Sequence, residues 1–292
     1  MPEIGGVITA MLTPFAEDGS VDDRAARRLA RHLVKNGSHG VVVAGTTGES
    51  PTLSDEETVS LLRAVRDELG PDSLVVCGTG SNDTRHSEHL SAAAAEAGAD
   101  AVLVVTPYYN KPNRAGIRAH YEAVARAAGI PVIAYNIPSR AVVNIAPDLL
   151  AELGEIENVV AVKQANNDEI DKVSGLTVLA GNDDVFRRCL ESGGSGGILV
   201  ASHLVGNEMR EIYDAVRAGD GDRAREIETR IRPIYEATTL DVNPIPVKAA
   251  AEMLGLIPSA RMRLPMVEAD DETRAGLRTA LEAHGLLTAS AA

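Results

Sequence analysis

The chain has 292 residues, of which 45% are hydrophobic and 3% aromatic, and its formal net charge is −14. This length suits a single α/β barrel of about 250 residues with an extension, whose core would be filled by aliphatic side chains. The acidic surface would repel phosphate backbones, which argues against nucleic-acid binding and means that a small anionic substrate needs local positive groups.

Short apolar runs alternate with helical patterns along residues 1–220. Most of the runs are rich in Val and Ile without period-two alternation, which is typical of strands buried on both faces of a parallel sheet. Eight strands are predicted, at Val7–Met11, Gly40–Ala44, Leu74–Cys77, Ala101–Thr106, Pro131–Tyr135, Val159–Lys163, Thr177–Ala180 and Gly197–Ala201. Helices are predicted at Asp22–Lys35, Asp55–Leu69, Thr84–Ala97, Asn113–Ala128, Asp183–Ser192 and Leu204–Ala218.

Local signals mark the ends of several of these helices. Ser54 followed by Glu57 has the spacing of a capping box, and Gly98 and Gly129 stand where helices prefer to end. The interval between the sixth and seventh strands is short, so we expect only a stunted helix, at Asn166–Val173.

The strand signals stop after Ala218, and the remaining patterns are helical, at Gly221–Thr238, Ile245–Leu254 and Asp271–His284. We therefore predict an α/β protein with a (β/α)8 TIM barrel at residues 1–220 and a helical C-terminal domain at residues 221–292. An open doubly wound sheet is the alternative, and it is disfavoured because no GxGxxG motif follows the first strand.

The two cysteines, Cys77 and Cys189, belong to no CxxC pair or metal-spaced cluster. We therefore expect no structural zinc site and no disulfide framework. Isolated thiols are typical of the reducing cytoplasm, which we expect as the compartment. No run reaches the roughly 18 apolar residues of a membrane span, and no basic region precedes the first apolar run, so neither a membrane span nor a signal peptide is expected.

Candidate functional residues follow from the barrel, because its active site lies at the carboxyl ends of the strands. Polar residues stand at four of these ends, in Gly45–Glu49, Thr106–Asn110 and Tyr135–Arg140 and at Lys163. Since all of these ends meet at one mouth of the barrel, they are the first residues to consider as a site.

Lys163 closes the apolar run Val159–Val162, where it would be partly desolvated. Desolvation disfavours the ammonium form and lowers the pKa of a lysine, so that its neutral amine can attack a ketone and form an imine. A strand-end lysine that reaches water or pairs with an acid is the alternative. Taken alone, a lysine at this position more often has that structural role. The polar residues at the other strand ends favour the catalytic role for Lys163 instead.

Three neighbouring features supply the rest of such a reaction. The hydroxyl of Tyr135 could transfer the protons that imine formation requires, although a core tyrosine is the alternative. The Gly45–Gly48 turn offers N–H groups and threonine hydroxyls to a carboxylate, although it could be an ordinary turn. Arg140 could hold a carboxylate with its fork of donors, and a surface arginine is the alternative there.

Together these residues resemble the dihydrodipicolinate synthase (4-hydroxy-tetrahydrodipicolinate synthase) branch of the pyruvate-dependent class I aldolase family. The resemblance runs through nearly the whole chain, and the order and spacing of its pieces make it specific. The pieces are GTTGESPTL at 45–53, GTGSNDT at 78–84, VTPYYNKP at 105–112, YNIPSR at 135–140, VK at 162–163, NPIPVK at 243–248 and MRLPM at 262–266.

The resemblance implies four catalytic residues. Lys163 matches the lysine that forms the imine with pyruvate, and Tyr135 matches the general acid and base. Thr46 matches the middle of a proton relay. Tyr109 matches the relay member that reaches into the site of a neighbouring subunit.

Four substrate-binding residues are implied as well. Thr47 resembles the donor to the carboxylate of pyruvate, and Arg140 resembles the arginine that holds the carboxylate of L-aspartate 4-semialdehyde. Ile198 matches a position that contacts pyruvate, and Gly181 matches a glycine that lines the site.

The implied activity is a lyase reaction that joins pyruvate to L-aspartate 4-semialdehyde in lysine and diaminopimelate biosynthesis. The enamine of the lysine-bound pyruvate attacks the aldehyde, and the amine of the substrate then displaces Lys163 as the ring closes. The resemblance implies no metal and no organic cofactor. It also implies a homotetramer built from tight dimers.

The chain departs from the family pattern directly after Lys163. Gln164–Asn167 reads Gln-Ala-Asn-Asn where the family often has an acid followed by Ala-Thr-Gly, and Leu199 replaces a frequent Ser or Thr. Lysine-regulated members carry an acid on the helix after the third strand, and His86 stands at the matching position. We therefore expect weak or absent inhibition by lysine.

Two other functions compete with this one. An aldolase that cleaves N-acetylneuraminate or a 2-keto-3-deoxy sugar acid is the nearest, and Thr46 and Arg140 favour the synthase over it. A catalytically inactive barrel that serves as a binding protein is the second, and the presence of Lys163 and Tyr135 argues against it.

Overall fold

A computed structural model describes residues 3–288, in which eight parallel strands close into a barrel in sequential order. The strands are β1 (Gly6–Ala10), β2 (Gly40–Val43), β3 (Leu74–Gly78), β4 (Ala101–Val105), β5 (Val132–Asn136), β6 (Val159–Gln164), β7 (Thr177–Ala180) and β8 (Gly196–Leu199). Each strand coincides with a predicted run to within two residues at either end. The predicted TIM-barrel fold is therefore confirmed, and the doubly wound alternative is wrong.

Helices pack around the barrel in the order expected from the sequence. They are α1 (Asp23–Lys35), α2 (Asp55–Leu69), α3 (Thr84–Glu96), α4 (Arg114–Ala128), α5 (Pro138–Ala141), α6 (Pro147–Leu153), α7 (Phe186–Glu191) and α8 (Ser202–Arg217). The capping box of α2 is confirmed, since the Ser54 hydroxyl accepts from the Glu57 N–H at 3.2 Å and the Ser54 N–H donates to the Glu57 carboxylate at 3.0 Å. The short helices α5 and α6 were not predicted.

The connection between β6 and β7 is as short as the sequence predicts, with a single 3₁₀ turn at Asn167–Glu169 in place of a barrel helix. One consequence is that the outer face of β6 is only partly covered. Val160 is 39% exposed there, whereas the other residues of the strand are buried.

The register between the strands places two predicted site residues side by side. Tyr135 of β5 pairs with Lys163 of β6, and Asn136 pairs with Gln164. Because successive residues of a strand point to opposite faces, Tyr135 and Lys163 face the barrel interior, while Asn136 and Gln164 face the surrounding layer. The interior below Tyr135 is filled by aliphatic side chains that include Ile133, Ala161, Leu179 and Ile198.

Three helices follow the barrel: α9 (Gly221–Ala237), α10 (Ile245–Met253) and α11 (Asp271–Ala283). These bounds confirm the predicted helical extension. Two ion pairs fasten the extension to the segment after β2, because Arg263 forks onto the Glu57 carboxylate at 2.6 and 2.8 Å and the buried Lys248 pairs with Glu49. Within residues 3–288, every helix is too short or too polar to cross a membrane.

Candidate active site

A cavity of about 520 Å³ opens at the carboxyl ends of the strands, beneath the C-terminal extension. A smaller pocket lies next to it, and Thr46, Thr47, Tyr135 and Lys163 line both. The larger cavity is also lined by Arg140, Asn167, Gly181, Asn182, Asp183, Asp184, Arg232, Tyr235, Glu236, Thr239 and Asn243, among others. The predicted residues therefore meet at the carboxyl ends of the strands, where the active sites of such barrels lie.

Lys163 projects from the end of β6 into this cavity and is only 5% exposed. Its Nζ lies 4.2 Å from the centroid of the Tyr135 ring. Burial lowers the pKa of Lys163 to about 8, which Asp183 opposes and Arg140 reinforces. The direction of this shift is the one expected for a desolvated lysine, and it leaves a substantial fraction of the amine neutral near pH 8.

Tyr135 ends β5 and is buried beside Lys163. Burial raises the pKa of its phenol to about 12, against the opposing effects of Arg140 and of the Thr46 hydroxyl. The phenol is therefore protonated at neutral pH and can donate a proton to a substrate bound at Lys163. To accept a proton, it must first pass its own to a neighbour, and the Thr46 hydroxyl is the group placed for that transfer.

The loop after β2 is held by its own hydrogen bonds. The N–H groups of Gly48 and Ser50 donate to the carbonyl of Gly45, at 3.0 and 3.2 Å, and the Glu49 N–H donates to the carbonyl of Thr46 at 3.0 Å. Within residues 3–288, the N–H groups of Thr46 and Thr47 donate to no protein acceptor. They are therefore available to a carboxylate, as the sequence predicts for this turn.

Asn243 connects two of the predicted carboxylate-binding residues. Its side-chain Nδ2 donates to the Thr47 hydroxyl at 3.0 Å, and its main-chain carbonyl accepts from Arg140 Nη2 at 3.1 Å. The hydroxyl of Thr47, once it accepts this bond, keeps its own hydrogen for a ligand. Asn243 belongs to the motif at 243–248 but has no predicted role, because nothing in the sequence of a helical extension shows which residue will reach the barrel mouth.

Asp183 is a second cavity residue without a predicted role. One carboxylate oxygen accepts from the N–H groups of Val200 and Ala201, at 3.0 and 3.1 Å. Burial raises the pKa of this carboxyl to about 6, although these two hydrogen bonds and the charge of Lys163 act to lower it. Asp183 therefore adds a titratable acid to the wall of the cavity that also carries Gly181.

The remaining predicted residues fall in three different environments. Gly181 lines the cavity, and a Cβ at this position would come within 2.8 Å of the Gln164 carbonyl. Ile198 is fully buried in the barrel interior and lines neither the cavity nor the smaller pocket. Tyr109 is 86% exposed and also lies outside both. Six of the eight predicted residues thus meet in one cavity.

Potential metal ligands are scattered through the described chain, and residues 3–288 hold no group of three His, Cys, Asp or Glu side chains that could bind a metal. Cys77 and Cys189 are both free and buried. Burial raises the pKa of each thiol to about 12, which makes both poor nucleophiles.

Comparison with known proteins places the chain in a family. The model of the dihydrodipicolinate synthetase family matches residues 3–284. The 4-hydroxy-tetrahydrodipicolinate synthase of Desulforudis audaxviator is 43% identical over 292 residues, which cover 98% of this chain and 99% of that protein.

Solved structures agree with this match. The dihydrodipicolinate synthase of Cyanidioschyzon merolae with lysine bound superposes with a TM-score of 0.93 at 38% identity, covering 97% of this chain and 99% of that one. A monomeric dihydrodipicolinate synthase variant superposes with a TM-score of 0.94 at 36% identity, covering 97% of each chain. The chain therefore belongs to the dihydrodipicolinate synthetase family.

Proposed function

We propose that this enzyme, a lyase by its family, is a 4-hydroxy-tetrahydrodipicolinate synthase, which condenses pyruvate with L-aspartate 4-semialdehyde in lysine and diaminopimelate biosynthesis. The observation that carries the proposal is a buried lysine of lowered pKa, Lys163, next to the protonated phenol of Tyr135. The relative from D. audaxviator bears the name of the same synthase, which supports the proposal.

In the first half of the reaction, the neutral amine of Lys163 attacks the keto carbon of pyruvate. The resulting carbinolamine loses water when the Tyr135 phenol protonates the departing hydroxyl, and the Thr46 hydroxyl relays protons to and from the phenol. The N–H groups of Thr46 and Thr47, together with the Thr47 hydroxyl, bind the carboxylate of pyruvate. Ile198 supports the bound imine from the barrel interior below it.

In the second half, the Tyr135 phenolate left by the dehydration takes a proton from the pyruvate methyl group, which gives an enamine. The enamine carbon then forms a bond to the aldehyde carbon of L-aspartate 4-semialdehyde, while the Tyr135 phenol gives a proton to the aldehyde oxygen, which becomes a hydroxyl. Arg140 holds the carboxylate of this substrate at the rim of the cavity, and the main chain of Gly181 lines the cavity wall. The substrate amine then attacks the imine carbon and expels the Lys163 amine, which closes the ring and frees the enzyme. Residues of the chain supply every group in these steps, and the scheme uses no cofactor.

Residues 221–292, of which 289–292 lie outside the described residues, are proposed to form a domain of their own that completes the site. Asn243 lies in this region and contacts both Thr47 and Arg140 of the barrel. Residues 1–220 would then supply the reacting groups, and the C-terminal domain would close the cavity over them.

A homotetramer built from tight dimers is proposed as the working assembly, in which Tyr109 reaches the site of a neighbouring subunit. Two observations support subunit contacts, the 86% exposure of Tyr109 and the partly uncovered outer face of β6 at Val160. Sedimentation velocity tests the assembly: we expect a tetramer, and a monomer, as in the monomeric variant of similar fold, would contradict the proposal. The two free thiols support the cytoplasm as the compartment.

An assay that compares aldehydes tests the synthase against the nearest alternative. With pyruvate present, we expect the enzyme to consume L-aspartate 4-semialdehyde, and we expect no release of pyruvate from N-acetylneuraminate or from 2-keto-3-deoxy sugar acids. Arg140→Ala serves as the internal control, since it should raise KM for the semialdehyde more than KM for pyruvate. Faster turnover of a sugar acid than of the semialdehyde would contradict the synthase and favour the aldolase.

Lysine is expected to inhibit this enzyme weakly or not at all. His86 stands where lysine-regulated members of the family carry an acid, and its Nε2 lies 2.8 Å from the Asp55 carboxylate. The imidazole of His86 cannot replace the carboxylate that would bind an ammonium group of lysine, and it also occupies the Asp55 carboxylate. A steady-state assay with saturating substrates would measure the inhibition.

The synthase of C. merolae, whose structure holds lysine, is a suitable binding control for the lysine experiment. His86→Glu is the matched variant, and it should strengthen binding of lysine measured by calorimetry. Strong inhibition of the unaltered enzyme by lysine would show that the prediction is wrong.

A further inference from the structure

A pair of amide side chains lies directly behind the two reacting residues. Asn136 follows Tyr135 on β5, Gln164 follows Lys163 on β6, and Asn136 Nδ2 donates to Gln164 Oε1 at 3.0 Å. Both amides are completely buried. Because neighbouring residues of a strand face opposite sides, this bond joins the two strands at the level of Tyr135 and Lys163, on the outer face of the barrel wall.

Asn136 is fixed from the side of α6. Its Oδ1 accepts from the Ile145 N–H at 3.0 Å, and its Nδ2 also donates to Asn144 Oδ1 at 2.8 Å. Asn144 in turn donates to the Glu169 carboxylate at 3.1 Å. The end of β5 is thereby tied both to the segment before α6 and to the short turn after β6.

Gln164 is fixed through its oxygen alone. Besides the Asn136 amide, Gln164 Oε1 accepts from the N–H of Asn166 at 2.9 Å. Its Nε2, by contrast, is buried and has no hydrogen-bond partner among the described residues. An unpaired buried donor costs free energy, which an aliphatic side chain would avoid, so the oxygen is the part of Gln164 that this site uses.

We propose that Gln164 and Asn136 are positioning residues, which hold the ends of β5 and β6 together and so set the separation of Lys163 from Tyr135. The inference rests on the proposed function, because proton transfer between the phenol and the lysine-bound substrate depends on that separation. The structure places Lys163 Nζ 4.2 Å from the Tyr135 ring centroid. A shift of about 1 Å in such a pair can slow a reaction by roughly 100-fold.

The neutrality of Gln164 matters for the choice of a test. The charged or titratable groups that act on Lys163 and Tyr135 from the cavity side are Asp183 and Arg140. On the amide side, the nearest acid of the network is Glu169, which is separated from Gln164 by two amides. Gln164→Glu therefore keeps an acceptor for Asn136 and Asn166 but can add a charge, whereas Gln164→Leu removes the acceptor at similar volume.

The test uses the full chain and follows the mass of the pyruvate adduct trapped by borohydride as a function of time and pH, together with kcat and the melting temperature. We expect Gln164→Leu to lower the trapping rate and kcat by roughly 10- to 100-fold at a temperature where it is folded. The pH midpoint of trapping should stay where it is in the unaltered enzyme. Gln164→Glu, assayed well above that midpoint, should recover most of the lost rate.

Leu62→Ala is the control for lost stability alone. Leu62 is fully buried in α2, away from the amide pair, so this variant should melt earlier and trap pyruvate at the normal rate. The inference is overturned if Gln164→Leu traps pyruvate as fast as the unaltered enzyme, if its pH midpoint moves, or if Gln164→Glu is as slow as Gln164→Leu. Absence of any adduct on the unaltered enzyme would instead refute the proposed function, so the two failures are distinguishable.

Discussion

Replacing Lys163 by methionine is expected to abolish the pyruvate adduct and the synthase activity without unfolding the barrel. Methionine has a similar length, and its apolar side chain packs well in the buried environment of Lys163. The substitution should therefore change the stability of the fold very little. The reaction, however, loses the only lysine amine among residues 3–288 that lines the cavity, and loss of a covalent nucleophile lowers kcat by roughly 10³-fold or more. Borohydride trapping with pyruvate, followed by peptide mass spectrometry, measures the result directly.

In the unaltered enzyme, the adduct should map to Lys163, and its rate of formation should rise with pH. The sign follows from the pKa of about 8, since the amine that attacks pyruvate is the neutral form and its fraction grows as the pH passes through this value. Lys172→Met, at an exposed position after the same strand, is the matched control and should keep the adduct. An adduct that persists in Lys163→Met or maps to the buried Lys248 would refute the assignment.

The barrel could be predicted from the sequence because each strand leaves a distinct local signal. Runs such as Ala101–Val104 are apolar at consecutive positions, which a strand buried on both faces requires. The helices α5 and α6 escaped prediction for the opposite reason. They comprise only four and seven residues, and each begins at a proline, so neither is long enough to show a helical period.

The site likewise divides into residues that a local sequence signal reveals and residues whose place depends on tertiary packing. Lys163 and Tyr135 were predictable because neighbouring strands of a parallel barrel end at one mouth. Asn243 was not, since its position depends on how the C-terminal helices pack over the barrel, for example through the pair of Arg263 with Glu57. The bond between Asn136 and Gln164 depends on the register of two strands, which sequence patterns do not determine.

Replacing Tyr135 by phenylalanine is expected to keep the fold and most of the affinity for pyruvate but to lower kcat by roughly 10²- to 10⁴-fold, the usual contribution of a general acid or base. The pKa of about 12 keeps the phenol protonated, so its first task is to donate a proton as the carbinolamine loses water. Phenylalanine preserves the ring beside Lys163 and removes only the hydroxyl. Trapping of pyruvate should therefore become slow and still go to completion.

Tyr213→Phe provides a control in which the same atom is removed away from the site. Tyr213 lies on α8, where its ring packs edge-on against His39 with 5.1 Å between the ring centroids, and it lines neither the cavity nor the smaller pocket. Loss of its hydroxyl should leave kcat and the trapping rate near normal. If Tyr135→Phe and Tyr213→Phe lower kcat by the same factor, Tyr135 is not the proton donor, and the proton must come from water or from Asp183.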